Sequence, residues 1–343
     1  MQKLPNDLYR EEKNRIVCLL CYRKCGIKPG EKGFCRNRIA EWENGNLIPV
    51  FRQVERLEAF NVDPIEKKPL YHFYPGRDVV SVGLRGCNMH CFFCQNYQLS
   101  QDRTPLKYQK EETGEWSKEI LHVLERENQA GKMVPGIAFT YSEPITWFEF
   151  MYPVAKELDR HNYFSVIVSN GMLTEPALKR IIPLLQGANI DIKSLDGEVY
   201  KRLGGERDTV KHAVERLFEA GVHVELTYLV VTGLNDNDSQ INEFIDWVSE
   251  LDREIPVHFS RYFPSYKASE PSTPVQKLKD IYIRSTEKLA HVYLGNLGEK
   301  AYQTTYCPSC GAVVIERSLF SVRTNLKEGV CSKCGRKLAG IFE

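Results

Sequence analysis

The chain has 343 residues, of which 42% are hydrophobic and 27% are charged, and its formal net charge is +1. This composition is ordinary for a folded domain, and it gives no global electrostatic case for binding nucleic acid or an anionic membrane. The chain is longer than the roughly 250–300 residues at which one hydrophobic core stops growing, so we expect one large domain with small satellites. Apolar runs fall short of the about 20 residues that span a bilayer, and the polar first residues do not form a signal peptide. We therefore expect a cytoplasmic protein.

The 11 cysteines fall into three separate groups along the chain. Groups of four, three and four match metal sites better than disulfides, because a reducing cytosol keeps thiols available for metal. The members are Cys18, Cys21, Cys25 and Cys35 near the N-terminus, Cys87, Cys91 and Cys94 in the centre, and Cys307, Cys310, Cys331 and Cys334 near the C-terminus.

Residues 1–45 form the N-terminal Cys-rich segment, which is too small to bury enough apolar surface to fold alone. Metal ligation would supply the missing folding free energy, and the glycines between its cysteines permit tight turns. We predict a metal site on these four cysteines. The spacing leaves the nature of the site open: it could hold zinc or an iron–sulfur cluster, or the four cysteines could be buried free thiols.

Residues 46–78 are predicted to form a linking loop that covers part of the molecule. The proline and aromatic density of residues 67–76 favours an ordered loop over a helix. His72 in this loop has two interpretations, a residue that lines an active site and a histidine packed among aromatic side chains.

From residue 79 to residue 295, short β-branched runs alternate with amphipathic stretches, a pattern that predicts strands alternating with helices. The predicted strands are Val79–Arg85, Gly136–Tyr141, Tyr163–Ser169, Asn189–Lys193, His223–Val231 and Pro256–Ser260. The predicted helices are Glu115–Ala130, Ile145–Arg160, Glu175–Leu185, Arg207–Ala220, Ile241–Leu251 and Pro274–Ala290. Six units with parallel strands imply right-handed crossovers and cannot close an eight-stranded barrel. We predict an α/β fold, a partial (β/α)6 TIM-like barrel.

The central cysteines have the spacing C-x3-C-x2-C and follow the apolar run Val79–Leu84. Cysteine thiolates at close spacing are the usual ligands of an iron–sulfur cluster. Because a four-iron cluster needs one ligand per iron, three thiolates leave one iron open to bind a small molecule. The alternative is a zinc knuckle, although zinc sites more often use two C-x2-C pairs.

Polar residues recur at the C-terminal ends of the predicted strands, the rim where chemistry gathers in α/β barrels. Such groups are costly at the end of an apolar strand unless they have a partner, so their recurrence argues for one shared ligand. These stretches are Thr140–Pro144, Ser169–Gly171, Asp191–Lys193 and His258–Arg261.

Residues 296–343 form the C-terminal segment, in which two C-x2-C-Gly knuckles are separated by 20 residues. This pattern is typical of a zinc-ribbon or rubredoxin-like site. We predict a structural metal here, with zinc favoured over iron. Ribbons bind nucleic acid in other proteins, but this segment lacks a dense basic cluster.

The string from Cys87 to Gln101 resembles the radical S-adenosylmethionine (SAM) enzyme of the AmmeMemoRadiSam system, a distant relative of the glycyl-radical-enzyme activases such as pyruvate formate-lyase activating enzymes. The resemblance extends over nearly the whole chain in the family's order. It includes both flanking cysteine patterns, Tyr71–Gly76, Thr140–Pro144 and Pro256–Tyr266.

This resemblance implies the radical SAM core and an oxidoreductase chemistry. The central cysteines would hold a [4Fe–4S] cluster whose open iron is chelated by SAM. Reductive cleavage of SAM would give a 5′-deoxyadenosyl radical that abstracts hydrogen from an unidentified substrate. An electron donor such as ferredoxin or flavodoxin, a Memo-like protein and an AMMECR-like protein are the implied partners.

The resemblance also implies which side chains contact SAM. Phe93 would contact adenine, and Glu143 would bind the methionine ammonium. The positions around the ribose and the carboxylate are Asn170, Asp191, Lys193 and His258. The family's Gly-Gly-Glu-Pro motif is altered, because Tyr141 and Ser142 replace both glycines.

Several interpretations stay open at this stage. The Asp191 and Lys193 pair could be an ion pair of the rim without a ligand, and Arg261 and Tyr262 could face substrate or pack their loop. The chain could instead be a glycyl-radical-enzyme activase. A rival from another class is a non-catalytic metal or redox protein, or a nucleic-acid adaptor.

Overall fold

The computed structural model of the protein describes residues 3–51, 57–101, 113–318 and 321–342, and the side chains of 113–115 are not described. Parts of the predicted segments lie outside these residues: 1–2, 52–56, 102–112, 319–320 and 343. None of the described helices is long and apolar enough to cross a membrane.

The N-terminal segment consists of short antiparallel strands. One sheet of the segment has three strands and the other is a two-stranded hairpin. The strands are β1 (Tyr9–Glu12), β2 (Arg15–Cys18) and β3 (Gly26–Ile27) in the first, and β4 (Arg38–Glu43) and β5 (Asn46–Phe51) in the second.

An eight-stranded sheet forms the centre of the molecule. Its strands are β6 (Ala59–Pro64), β7 (Asp78–Gly83), β8 (Gly136–Phe139), β9 (Phe164–Ser169), β10 (Gly187–Ile192), β11 (His223–Val230), β12 (Val257–Arg261) and β13 (Val292–Gly295). They are hydrogen-bonded in the order β13-β12-β11-β10-β9-β8-β7-β6. Strands β7 to β13 are parallel, and β6 pairs antiparallel with β7. The C-terminal ends of the parallel strands, with the polar residues that follow them, therefore lie along the same edge of the sheet.

Helices connect the parallel strands of this sheet. They are α1 (Tyr97–Ser100), α2 (Thr113–Gln129), α3 (Phe148–Arg160), α4 (Glu175–Ile181), α5 (Gly197–Leu203), α6 (Arg207–Glu219), α7 (Asp238–Asp252) and α8 (Val275–Thr286). Single turns of 310-helix, Pro144–Trp147 before α3 and Ile182–Leu184 after α4, account for the irregular ends of two predicted helices. The middle strands are buried on both faces, as expected for parallel strands covered by helices.

Two central strands were not predicted from the sequence. β13 is a four-residue apolar run, too short to be separated from the helix end before it by periodicity. The prediction of a covering loop over 46–78 was wrong for β5 and β6. β6 is a largely exposed edge strand that ends in Pro64, and proline weakens a strand assignment because it cannot donate to the ladder.

The C-terminal segment forms small antiparallel sheets around its own core. Its strands are β14 (Thr305–Tyr306), β15 (Val313–Ser318), β16 (Ser321–Thr324), β17 (Leu326–Lys327) and β18 (Val330–Cys331). The core consists of Cys307, Val314, Ile315, Cys331 and Leu338. The segment packs on the loop before β7, where Tyr74 N donates to Ile341 O at 2.6 Å.

Candidate functional site

The loop after β7 places the three central cysteines in one open cleft. The cleft holds about 820 Å³, counting space continuous with solvent. Its lining includes Cys87, Cys91, Cys94, Phe93, Glu143, Asn170, Asp191 and Lys193. No other cysteine of the described residues lines it. Five of the six predicted SAM contacts therefore meet around the central cysteines.

The cysteine loop is fixed by backbone contacts on both sides. Gly86 enters the loop with a φ of 103°, and its N–H donates to Leu99 O at 3.0 Å. A Cβ there would lie 2.7 Å from Asn37 Nδ2 and 2.8 Å from Cys35 O. The position needs glycine because the N-terminal segment packs directly against it.

The spacing of the three central thiols separates a cluster from a single ion. A zinc–sulfur bond of about 2.3 Å keeps any two ligands of one zinc within about 4.6 Å. Of the residues the structure describes, the three central sulfur atoms do not all lie within 4.8 Å of one another. The central thiols are thus not grouped as the ligands of one zinc ion are, which favours a cluster over the zinc-knuckle alternative.

Glu143 is a buried carboxyl group at the wall of the cleft. It accepts from Ser169 Oγ and Asn170 N, both at 2.8 Å, and from Ile145 N at 3.4 Å. Burial raises the pKa of Glu143 to about 7, and these hydrogen bonds oppose that rise. The carboxylate is thus held ready for a cation, although no cationic side chain of the described residues bonds it directly.

The altered glycine motif keeps a glycine-like backbone. Tyr141 has a φ of 69°, a left-handed conformation that costs a bulky residue about 1–3 kcal/mol. Its hydroxyl donates to Asp63 Oδ2 at 2.8 Å and accepts from Asn61 Nδ2 at 3.1 Å, which holds the ring in place. Ser142 is fixed through a hydrogen bond to Leu84 O. Tyr141 therefore has the left-handed backbone conformation for which glycine is best suited.

Asn170 connects the end of β9 to the cysteine loop. Its Nδ2 donates to Asn88 Oδ1 at 2.8 Å and lies 3.6 Å from Cys87 Sγ. Its Oδ1 accepts from Met172 N at 3.0 Å. Because these bonds use both ends of the amide, Asn170 orients the loop as well as lining the cleft.

Asp191 and Lys193 form an ion pair at the end of β10. Burial acts to lower the pKa of Lys193, but the Asp191 carboxylate outweighs it and the pKa is raised. Asp191 Oδ1 is buried and has no hydrogen-bond partner among the described residues. Lys193 Nζ lies 5.9 Å from the centre of the Phe93 ring. The ion pair predicted at the rim is therefore present, and one oxygen of the Asp191 carboxylate remains available to a ligand bound in the cleft.

His258 lies apart from the other predicted SAM contacts. It lines a second cavity, of which Tyr71 and Tyr141 are also walls. Its Nε2 lies 2.6 Å from Glu225 Oε2, and its ring stacks on Tyr293 with centroids 5.1 Å apart. The structure therefore places His258 at this second cavity and not at the cysteine cleft.

Glu225, which the sequence analysis missed, lies at the centre of the polar residues around His258. It is fully buried and accepts from His72 N at 2.6 Å, and His223 Nε2 lies 3.0 Å from it. Burial acts to raise the pKa of Glu225, but hydrogen bonds with His223 and His258 hold it well below the usual value. A charged residue inside the apolar run of β11 was the available signal.

The remaining open residues pack their surroundings. His72 is fully buried, with Nε2 2.7 Å from Tyr293 Oη and Nδ1 2.9 Å from Ala339 O, in agreement with the packed interpretation. Arg261 Nε donates to Thr273 O at 2.9 Å. Tyr262 is buried, and its N–H donates to Thr273 Oγ1 at 2.8 Å. Arg261 and Tyr262 therefore both bond to Thr273, in agreement with the interpretation that they pack against their surroundings.

The N-terminal cysteines surround a cavity of their own. Its walls include Cys18, Cys21, Cys25, Cys35, Arg23, Arg38 and Asn88. Burial raises the pKa of Cys18 to about 11 and raises those of Cys21 and Cys35 as well. Thiols in such a cavity remain protonated unless a metal binds them.

The C-terminal cysteines converge on one point. All four sulfur atoms lie within 4.8 Å of one another, with Cys307 and Cys334 3.6 Å apart and Cys310 and Cys331 3.8 Å apart. Tetrahedral zinc–sulfur bonds require about 3.8 Å between ligands. Gly311 turns the first knuckle with a φ of 68°, and its N–H donates to Cys307 O at 2.9 Å. The site can hold one metal ion.

Comparison with known proteins points to one superfamily. A model of the Radical SAM superfamily matches residues 81–248. The uncharacterized protein MJ0808 of Methanocaldococcus jannaschii is 36% identical over 335 residues, which cover 95% of each chain. The 4-hydroxyphenylacetate decarboxylase activating enzyme of Clostridioides difficile strain 630 is 24% identical over 133 residues, 38% of this chain and 42% of that one. The crystal structure of a radical SAM methyltransferase from Sphaerobacter thermophilus has a TM-score of 0.50 at 18% identity, covers 65% of this chain and 67% of that chain, and shows the fold alone.

Proposed function

We propose that this chain, which belongs to the Radical SAM superfamily, cleaves SAM reductively at a [4Fe–4S] cluster and begins a radical reaction on a second substrate. The cluster and SAM, when bound, supply one electron and a 5′-deoxyadenosyl radical that abstracts a hydrogen atom. The observation that carries the proposal is the cleft itself. Of the described residues, three thiols and no fourth line it, together with an acid, an amide and an ion pair.

The residues present fit these two cofactors. Three thiolates leave one iron of a [4Fe–4S] cluster without a protein ligand, and the buried, unpartnered Asp191 Oδ1 offers an acceptor to a polar ligand. We assign Cys87, Cys91 and Cys94 to the cluster. We assign Phe93, Glu143, Asn170, Asp191 and Lys193 to SAM.

Each assigned side chain has a chemical role that its surroundings support. Glu143 would bind the methionine ammonium. A nearby cation favours the charged form of the carboxylate, and three hydrogen-bond donors already stabilise that form. Lys193 would face the carboxylate of SAM, and Phe93 would lie against adenine. His258 is assigned instead to the wall of the second cavity, on the far side of Tyr141.

We further propose how the rest of the chain serves this site. Strands β7 to β12 with their helices would correspond to the six units of a partial (β/α)6 barrel, and β6 and β13 would be added edge strands. Residues 1–45 and 296–343 would be metal-binding satellites, the latter holding zinc as a structural ion. A low-potential donor such as ferredoxin or flavodoxin would deliver electrons, and a cytoplasmic location stays a prediction.

We propose that this reaction belongs to the AmmeMemoRadiSam system, on the basis of the family resemblance. The string from Cys87 to Gln101 and both flanking cysteine patterns support this assignment. A Memo-like and an AMMECR-like protein would then handle the substrate together with this chain.

A glycyl-radical-enzyme activase is the second candidate. The similarity to the 4-hydroxyphenylacetate decarboxylase activating enzyme favours it. We rank it second because that similarity covers 38% of this chain. The resemblance to the AmmeMemoRadiSam enzyme extends over nearly the whole chain and includes both flanking cysteine sets.

The decisive test is formation of 5′-deoxyadenosine by anaerobically reconstituted protein with dithionite and SAM. We expect wild-type protein to form it and Cys91→Ser to form only background amounts. Cys310→Ser is the matched control, because it removes a cysteine outside the cleft and should retain the reaction. An intact cluster in wild-type protein without any 5′-deoxyadenosine would contradict the proposal and favour a non-catalytic metal protein.

The same reaction distinguishes the two candidate substrates. Deuterium transfer into 5′-deoxyadenosine would be followed from labelled metabolites, from the partner proteins and from glycyl radical enzymes of the same cell. Label that arrives from a backbone glycine would establish the activase function and overturn our ranking.

A further inference from the structure

The N-terminal cysteine cavity is a metal site that the central chemistry does not use. We propose that Cys18, Cys21, Cys25 and Cys35 hold a second iron–sulfur cluster, which lies against the loop that carries the SAM-binding cysteines. The choice between zinc and a cluster, left open by the spacing, follows from the separation of the sulfur atoms and from the contacts of the cavity wall.

The four sulfur atoms do not form the compact group that the ligands of a single ion form. Four ligands of one zinc must all lie within about 4.6 Å of one another. In the part of the chain that the structure describes, no three of these four sulfur atoms lie within 4.8 Å of one another. They nevertheless line one cavity. A cluster matches this arrangement, because its thiolates bind different iron atoms and are therefore farther apart.

The cavity provides the surroundings that a negatively charged cluster needs. Cys18 is buried, and the apolar side chains of Leu20 and Ile27 exclude water from the cavity. Arg38 Nη1 lies 3.9 Å from Cys35 Sγ. The guanidinium of Arg23 bonds only neutral carbonyl oxygens in its hydrogen bonds to Asn88 O and Gly204 O. Arg23 therefore lines the cavity without a carboxylate among its hydrogen-bond partners, whereas the charge of Arg38 is shared with the Glu149 carboxylate.

The wall toward the central loop contains an unsatisfied donor. Asn88 is fully buried and lines the N-terminal cavity. Its Oδ1 accepts from Asn170, but its Nδ2 has no acceptor among the described residues. A buried amide hydrogen without an acceptor costs about 1–3 kcal/mol. A sulfide or thiolate sulfur of a cluster in this cavity would be the missing acceptor.

The N-terminal cysteine loops contact the central cysteine loop at Gly86 and Asn88. Arg23 bonds the backbone oxygen of Asn88, the residue that follows Cys87. On the other side, Cys35 O lies 2.8 Å from the position that a Cβ on Gly86 would take. The segment that holds the proposed cluster therefore packs against both ends of the first turn of the central loop. Its own chemistry is a reversible one-electron change between the 2+ and 1+ states, with the electron supplied by a low-potential reductant such as dithionite.

The test isolates this cluster by removing the central one. The variant Cys87→Ala/Cys91→Ala/Cys94→Ala would be reconstituted anaerobically with iron and sulfide. We expect about two to four iron atoms per chain with acid-labile sulfide in similar amount, a Mössbauer spectrum of a polynuclear cluster, and a dithionite-induced EPR signal that SAM leaves unchanged. Acid-labile sulfide is the critical number, because an iron ion in the C-terminal site carries none.

A second variant assigns the ligands. Adding Cys21→Ser and Cys35→Ser to that variant should remove the labile sulfide and the EPR signal, whereas adding Cys310→Ser should leave both. If the triple variant does not fold, wild-type protein gives the same answer, because only one of its two EPR signals should change with SAM. One zinc per N-terminal segment, or labile sulfide that disappears with the central cysteines alone, would overturn the proposal. These readouts do not depend on SAM cleavage, so a failure of the proposed function is a separate result.

Discussion

The two four-cysteine regions use the same ligand type in two different geometries. In the C-terminal region, all four sulfur atoms converge within 4.8 Å; in the N-terminal region, they line the wall of a cavity. The sequence spacing explains the difference. Two C-x2-C knuckles face each other and bring their sulfur atoms to one point, whereas the N-terminal cysteines come from the end of β2 and from the turns around β3. The number of cysteines therefore does not determine the kind of metal centre; the way their turns meet does.

The two regions are also attached to the central sheet in different ways. Arg38 of the N-terminal segment makes a two-pronged ion pair with Glu149 of α3, and both side chains are buried. The C-terminal segment is held by backbone hydrogen bonds, by Arg317 and by an exposed ion pair of Arg336. These contacts predict effects of decreasing size.

The largest effect should come from loss of the C-terminal metal. We expect Cys331→Ser to unfold this segment locally, because its own core is small and a structural zinc supplies about 10–16 kcal/mol of folding free energy in isolated zinc modules. Zinc content and hydrogen exchange over residues 305–318 and 321–342 would measure it. Cys94→Ser is the control and should leave exchange in this segment unchanged. Full protection in Cys331→Ser would show that packing, and not metal, holds the segment.

The next effect should come from the buried anchor of the N-terminal segment. Arg38→Met leaves the Glu149 carboxylate buried and without its ion-pair partner, and the expected loss is about 3–5 kcal/mol of unfolding free energy. The double variant Arg38→Met/Glu149→Leu should recover most of this loss, because it removes both charges together. Chemical denaturation of the single and double variants measures the difference. Equal losses in the two variants would indicate that packing volume, rather than charge, is responsible.

Arg317 is the corresponding buried arginine of the C-terminal segment. It donates to Gln303 O at 3.0 Å, to Thr305 Oγ1 at 2.9 Å and to Tyr71 O. Because most of these acceptors are neutral, we expect Arg317→Met to cost about 1–3 kcal/mol, less than Arg38→Met. The denaturation midpoints of the two variants test this ranking. A larger loss for Arg317→Met would mean that its contact with Glu66, at 3.7 Å, dominates.

The sequence predicted the regular parts of this molecule because they follow simple periodic rules. The six predicted strands all occur, as do the helices between them, because apolar runs and amphipathic stretches alternate. The polar residues at strand ends were also found, since a charge after an apolar strand needs a partner. Edge strands β6 and β13 were missed because they are short and lack a clean alternation.

The parts that could not be predicted depend on long-range packing. His258 ends a strand like the other rim residues, but its bond to Glu225 on the neighbouring strand β11 directs it away from the cysteine cleft. Tyr141 departs from the glycine motif, yet it has a left-handed backbone conformation and its hydroxyl is held by Asp63. Neither partner is close in sequence, so spacing alone gave no signal for these contacts.

The smallest effect should come from the exposed ion pair between the C-terminal segment and the helices and turns around the central sheet. Arg336 Nη2 lies 2.8 Å from Glu254 Oε1, with the side chains 42% and 20% exposed. Water and salt screen such a pair, and ordering a long side chain offsets the attraction, so Arg336→Ala should cost no more than about 1 kcal/mol. The loss should shrink at high salt, whereas the loss from Arg38→Met should persist because that pair is buried. Denaturation of both variants at low and high ionic strength measures this. A salt-independent loss above about 2 kcal/mol for Arg336→Ala would show that this contact is a true anchor, and the contrast between the two attachments would no longer hold.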